Sequence, residues 1–206
     1  MSGNATLRRR LVFCAVTAVW LFAVSAGTAA LMRYKNIAGA QLDAPARWPA
    51  GSRIVRVPGE ATLVMAAHPQ CPCTRASMTE LERLLSRLPG RLHAVVLFVK
   101  PEGAPAGWED TDLFRRASSV EGAQAIVDVD GVEARRFNAL TSGQTLLYAA
   151  DGRLLFSGGI TAARGHEGDS VGRAYILAAL DGAHLPHPNA PVFGCALETP
   201  HERGTR

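Results

Sequence analysis

The apolar positions of the chain fall into one long run and several short ones. Residues 11–32, LVFCAVTAVWLFAVSAGTAALM, are 22 positions without a charge, and a helix needs about 20 such residues to cross a bilayer. Further on, ATLVMAA (61–67) and LHAVVLFV (92–99) are short apolar runs that predict buried strands. Between them Met78, Leu81, Leu84, Leu85 and Leu88 recur at helical spacing, with Arg75, Glu80, Glu82 and Arg87 interleaved, until Pro89-Gly90 stops the pattern. RIVRV (53–57) predicts a short strand closed by Pro58-Gly59, and AQAIVDVD (123–130) another. Short helices are expected over 111–118, after a Pro/Gly-rich loop at 101–110, and over 132–140. In QTLLYAADGRLLFSGG two apolar runs flank Asp151-Gly152, a strong hairpin signal. Asp169 or Ser170 can cap a last helix over 170–181, whose Val171, Ala174, Ile176, Leu177 and Leu180 lie mostly on one face. Residues 33–52 carry Pro45 and Pro49 and no period, and read as a linker; residues 183–206 hold four prolines and read as a tail. The order strand, helix, strand, helix, strand, short helix, hairpin, helix predicts an α/β fold with a mixed sheet.

Charge adds an orientation. Arg8, Arg9 and Arg10 precede the long apolar run, and Arg33 and Lys35 follow it. That bias places residues 1–10 in the cytoplasm and the rest beyond a single membrane-spanning helix at 11–32. A cleaved signal peptide has an apolar region of only about 7–15 residues, so the run favours an uncleaved anchor, although SAGTAA has the small residues of a cleavage site. In a bacterium the soluble part then lies in the periplasm, on the inner membrane, where disulfides persist. The net charge of +4 comes from scattered arginines without interleaved aromatics, which gives no nucleic-acid signal.

Of the four cysteines, Cys14 lies inside the apolar run, leaving Cys71, Cys73 and Cys195. Three thiols cannot all pair within one chain. Cys71-Pro72-Cys73 stands at a strand-to-helix junction, where unpaired N–H groups and the helix dipole lower a thiol's pKa. Cys71, preceding the helix, is expected to be the more exposed and the more acidic. A disulfide across so small a ring would be strained and therefore oxidising. Paired thiolates near His68 also suit soft metals, copper or zinc. The loop SGGITAARGHEGDSVG (157–172) has five glycines but lacks the Lys-Ser/Thr of a phosphate loop. The hairpin must return it to the cysteine end of the sheet, so Arg164, His166 and Glu167 are expected beside Cys71 and Cys73, with His166 as base, shuttle or ligand. Cys195, in PVFGCAL, can be carried back to the site by the segment that follows the last helix.

This order, with TLVMAAHPQC leading to Cys71 and QTLLYAADGRLLFSGG as the following hairpin, resembles the thioredoxin-like superfamily over residues 53–182. Within it the chain resembles membrane-anchored bacterial RedB-type proteins. The resemblance implies a thioredoxin-like mixed sheet flanked by helices and preceded by one transmembrane helix. It also implies thiol–disulfide oxidoreductase activity on a protein thiol or disulfide client, without a cofactor. Cys71 takes the place of the attacking cysteine and Cys73 that of its partner. The family's C-x-x-C is here C-x-C, with Thr74 at the second cysteine's usual place. Gln144, followed by Thr145, stands where a cis-proline is expected, so these two and Arg164 are candidate client contacts. The other readings are a copper- or zinc-binding module using Cys71, Cys73, Cys195 and His166, and a non-catalytic interaction domain.

Overall fold

Strand β1 (Ala61–Ala67) is buried at all seven residues, which requires apolar layers on both of its faces. The computed structural model, which describes residues 3–183 and 188–197, supplies both. On one face Leu63, Met65 and Ala67 meet Met78, Leu81, Leu84 and Leu85 of helix α2 (Cys73–Arg87). Leu113 of α3 (Asp112–Ser119) and Ile176 of α5 (Val171–Leu180) complete that layer. On the other face Val64 and Ala66 meet Leu146, Tyr148 and Phe137, the last following the short helix α4 (Val132–Arg136).

The sheet has six strands in the order β3-β2-β1-β4-β5-β6. Strands β2 (Leu92–Lys100) and β3 (Ala123–Val129) run parallel to β1, each reached through a helix. Strands β4 (Gln144–Tyr148) and β5 (Leu154–Gly159) form the expected hairpin: β4 pairs antiparallel with β1, and β5 antiparallel with β4, so that β5 runs in the direction of β1. The mixed α/β sheet predicted from the pattern is therefore present.

Three expectations need correction. Residues 53–57 form no strand: Ile54 is buried, Val55 is 80% exposed, and Ser52 Oγ and Arg53 N–H bind the Glu133 carboxylate instead of a neighbouring strand. The segment 38–52 is not a free linker, because the chain divides into compact units at Ile37/Ala38. Trp48 packs edge-on to Phe137 (5.0 Å) and Tyr148 (5.2 Å), and the Tyr148 hydroxyl donates to Pro45 O (3.0 Å). The tail, too, joins the sheet: Asn189–Ala190 is strand β6, parallel to β5. Neither segment has an apolar period, because single anchors and main-chain bonds hold them.

Unit Met1–Ile37 holds α1 (Gly3–Asn36). Its stretch Leu7–Asn36 is long and apolar enough to cross a membrane.

Candidate functional site

β1 ends at Ala67, and the chain turns through His68-Pro69-Gln70 before α2 begins at Cys73. Cys71 N–H donates to His68 O (3.1 Å) and Thr74 N–H to Cys71 O (3.1 Å), so Cys71 sits just before the first helical turn. No side chain caps α2; its N-cap is Pro72. In that turn Thr74 N–H and Arg75 N–H are taken by Cys71 O and Pro72 O, and the Cys73 N–H bonds the Cys71 sulfur.

The third thiol arrives from the tail. The sulfurs of Cys71 and Cys195 lie 3.2 Å apart in a hydrogen bond. All three sulfurs, Cys73 included, lie within 4.8 Å of one another. Residues 194–197 are held beside the loop before β4. Ser142 N–H donates to Cys195 O (2.8 Å), Leu197 N–H to Leu140 O (2.9 Å), and Thr141 and Ala196 form an antiparallel bridge. Gly194 is required there: a Cβ on it would collide with the Ser142 carbonyl oxygen.

Cys71 is only 3% exposed, whereas Cys73 and Cys195 are half-buried. The expectation that Cys71 is the more exposed thiol is thus reversed; the tail covers it. Burial pushes its pKa up, but hydrogen bonds from the Cys195 main chain and thiol, the Thr74 hydroxyl and the Cys73 main chain outweigh this and leave it below the ordinary thiol value. Cys73 is raised by burial and by the neighbouring Cys71 charge, with Arg164 opposing. Burial and Cys71 push Cys195 up to about 12. One thiolate among the three is therefore favoured, on Cys71, and Cys195 is its proton-bearing neighbour.

Two hydroxyls complete the surroundings. Fully buried Thr74 shares a hydrogen bond with Ser142 (2.7 Å), and His68 N–H donates to Ser142 Oγ (2.9 Å). When Thr74 donates to the Cys71 sulfur, Ser142 donates to Thr74, and every hydroxyl proton points toward the thiolate. Sequence reading noted Thr74 only as a missing cysteine and overlooked Ser142, whose only sequence signal was the turn-like Thr141-Ser142-Gly143 before β4.

The loop after β5 does return to this end of the sheet, but Arg164 is the residue that reaches the thiols. Its charge acts on Cys73 and Cys195, and its guanidinium donates to Gly194 O. His166 is exposed and outside the thiol cluster. Glu167 pairs with Arg83 (3.7 Å) and accepts from Thr79 (3.2 Å). Fully buried Glu80 holds the loop in place, accepting from Gly168 N–H (2.7 Å) and pairing with Arg173. Gln144 and Thr145 are fully buried. Gln144 braces the preceding loop through Leu140 N–H (3.0 Å) and Asn138 O (3.3 Å), and Thr145 donates to Gly143 O (3.2 Å), so neither offers a surface to a client. His68 is a strand-end residue: Nδ1 accepts from Gln70 N–H (3.2 Å), the ring meets Trp108 edge-on, and burial lowers its pKa.

No family model and no curated protein matches the chain. Solved structures do. An uncharacterized conserved protein from Geobacillus kaustophilus aligns over 81% of this chain and 94% of its own, at 18% identity and a TM-score of 0.57. A hypothetical protein from Sinorhizobium meliloti covers 78% and 93%, at 20% identity and a TM-score of 0.57. A secreted Mycobacterium tuberculosis disulfide oxidoreductase homologous to E. coli DsbE covers 61% and 84%, at 16% identity and a TM-score of 0.42. The strand order, the parallel β1-β2-β3 half and the antiparallel hairpin agree with the resemblance read from the sequence. The fold is thioredoxin-like. In this thioredoxin-like domain the cysteines occupy the junction of β1 and α2, and the tail adds a third thiol.

Proposed function

We propose that the protein is a membrane-tethered thiol–disulfide oxidoreductase, facing the periplasm and working as a thiol oxidant, in keeping with the RedB-type resemblance. The 3.2 Å approach of Cys71 and Cys195 carries this reading. It also revises the roles expected from the sequence: Cys195, rather than Cys73, is the first partner of Cys71. In the oxidised form the Cys71–Cys195 bond presents its half-buried sulfur, Cys195, to a client. A client thiolate attacks Cys195, the S–S bond breaks, and Cys71 leaves as the thiolate. The lower a leaving thiol's pKa, the faster it leaves, so accessibility and acidity select the same direction of cleavage. A second client thiol then displaces Cys195, which takes up a proton, and the client departs with a disulfide. Cys73 is a reserve partner for Cys71 within the same cluster.

The full-length protein, oxidised and held in detergent, should convert a reduced two-cysteine peptide to its disulfide. Cys71→Ser should abolish this, Cys195→Ser should slow it more than 10-fold, and Cys73→Ser should change it little. Equal rates for wild type and Cys195→Ser would instead make Cys71–Cys73 the working couple.

The second reading is metal binding, favoured by three sulfurs within 4.8 Å. Three thiolates suit Cu(I) better than zinc, which usually takes four ligands. His166 lies outside the cluster, and the Arg164 charge beside it opposes a cation. Tight stoichiometric Cu(I) on the reduced protein, together with no Cys71-dependent exchange, would establish this reading over the first.

A further inference from the structure

A thiol oxidant must itself be reoxidised, and the geometry around Cys71 suggests by what. The tail closes one side of the sulfur through the Ser142–Cys195 and Leu140–Leu197 main-chain bonds. A small cleft also borders Cys71, which lines it together with Pro69, Gln70, Pro72, Thr111 and Leu113. The Arg75–Asp112 ion pair lies across this cleft. At 3% exposure Cys71 is out of reach of a folded protein's disulfide, and the cleft it lines has room for a molecule of a few atoms. A thiol stands 3.2 Å behind it, where any oxidised form of Cys71 would be met at once.

We infer that Cys71 reduces small hydroperoxides entering through this cleft, and that Cys195 resolves the product. The inference rests on the oxidoreductase reading above and names the oxidant that recharges it. The Cys71 thiolate attacks the terminal peroxide oxygen, the O–O bond breaks, and the leaving oxygen takes a proton and departs as water or an alcohol. Cys71 is then a sulfenic acid. Sulfenic acids condense with a neighbouring thiol: the Cys195 sulfur attacks Cys71, the S–O bond breaks, the thiol proton and the hydroxide leave as a second water, and the Cys71–Cys195 disulfide forms. One peroxide accepts two electrons and two thiols supply them. The hydrogen bonds from the Thr74 hydroxyl and the Cys195 main chain hold the attacking sulfur as its anion, and the pair is already at contact. The same burial that excludes a protein client from Cys71 makes a small oxidant its natural partner.

The test is a single turnover of the reduced full-length protein in detergent with one equivalent of hydrogen peroxide, followed by peptide mapping. Wild type and Cys73→Ser should both give the Cys71–Cys195 disulfide, at least 10-fold faster than free cysteine reacts at the same pH. The Cys73→Ser/Cys195→Ser double variant should accumulate a sulfenic acid that dimedone traps on Cys71. Peroxide loss no faster than with free cysteine, or dimedone on Cys73 in the Cys71→Ser/Cys195→Ser variant at the rate seen for Cys71, would overturn the inference. Peptide oxidation by chemically oxidised protein separates the two claims. If it persists while peroxide fails, only the peroxide step is lost; if it fails as well, the oxidoreductase reading falls with it.

Discussion

At the scale of single residues, the site is a contest for one proton among three sulfurs. Cys71 is held below the ordinary thiol value by hydrogen bonds, while burial and the Cys71 charge drive Cys195 up to about 12. Alkylation of the reduced protein followed against pH should therefore show Cys71 reaching its plateau at lower pH than a free thiol, and Cys195 reacting only in strong alkali. The signs for stability are opposite. The Cys71 contribution is present above the ordinary thiol pKa and lost as pH falls through its folded value. The Cys195 contribution is present below the ordinary value and lost as pH climbs toward about 12. In Cys71→Ser the Cys195 midpoint should drop but stay above a free thiol's, because burial is the larger cause. A second prediction concerns Thr74. A hydrogen bond to a charged group contributes about 1.5–3 kcal/mol, so Thr74→Val should slow Cys71 alkylation below its midpoint by about 10-fold or more, and Thr74→Ser should restore it. Cys71 and Cys73 were legible in the sequence because thiols at a strand-to-helix junction carry their own signal. Thr74, Ser142 and Glu80 were not: Glu80 sits among the polar positions of α2, and only the tertiary partners Arg173 and Gly168 make it a buried anchor.

At the scale of elements, periodic segments were readable and aperiodic ones were not. The strands, α2, the hairpin and α5 follow their apolar patterns because each buries a face against a layer. The segment 38–52 and strand β6 are held by one tryptophan, by main-chain bonds and by side chains that donate to main-chain carbonyls, none of which leaves a period. Their trace in the sequence is glycine. Gly158, with φ +152°, lies against the backbone of Ala190, and Gly159 would place a Cβ 2.7 Å from Pro191 O. The five-glycine loop thus marked, in part, where the tail lies down. Gly158→Ala should destabilise the protein by about 2–4 kcal/mol through backbone strain and collision with β6, read as a lowered urea midpoint. It should also loosen Cys195 from Cys71, read as faster alkylation of Cys195 at neutral pH.

At the scale of the molecule, the helical unit and the thioredoxin-like domain carry separate information. The first has a span fit for a bilayer, and the arginines ahead of it argue for a non-cytoplasmic domain. A periplasm-specific reporter joined after Arg206 should be active, and activity from a cytoplasm-only reporter at the same position would reverse the orientation. The sequence also foretold the domain's architecture, since alternating strands and helices admit few topologies. It did not show which two sulfurs meet, because Cys71 and Cys195 are 124 residues apart and only the completed sheet brings them together. That separation sets an order of events in the making of the protein. Chains emerge N-terminus first at about 5–20 residues per second, so Cys71 and Cys73 precede Cys195 by roughly 6–25 s. During that interval Cys73 is the one thiol of the cluster that Cys71 can meet, and where those two pair, the Cys71–Cys195 bond is reached by exchange once the last segment has joined the sheet.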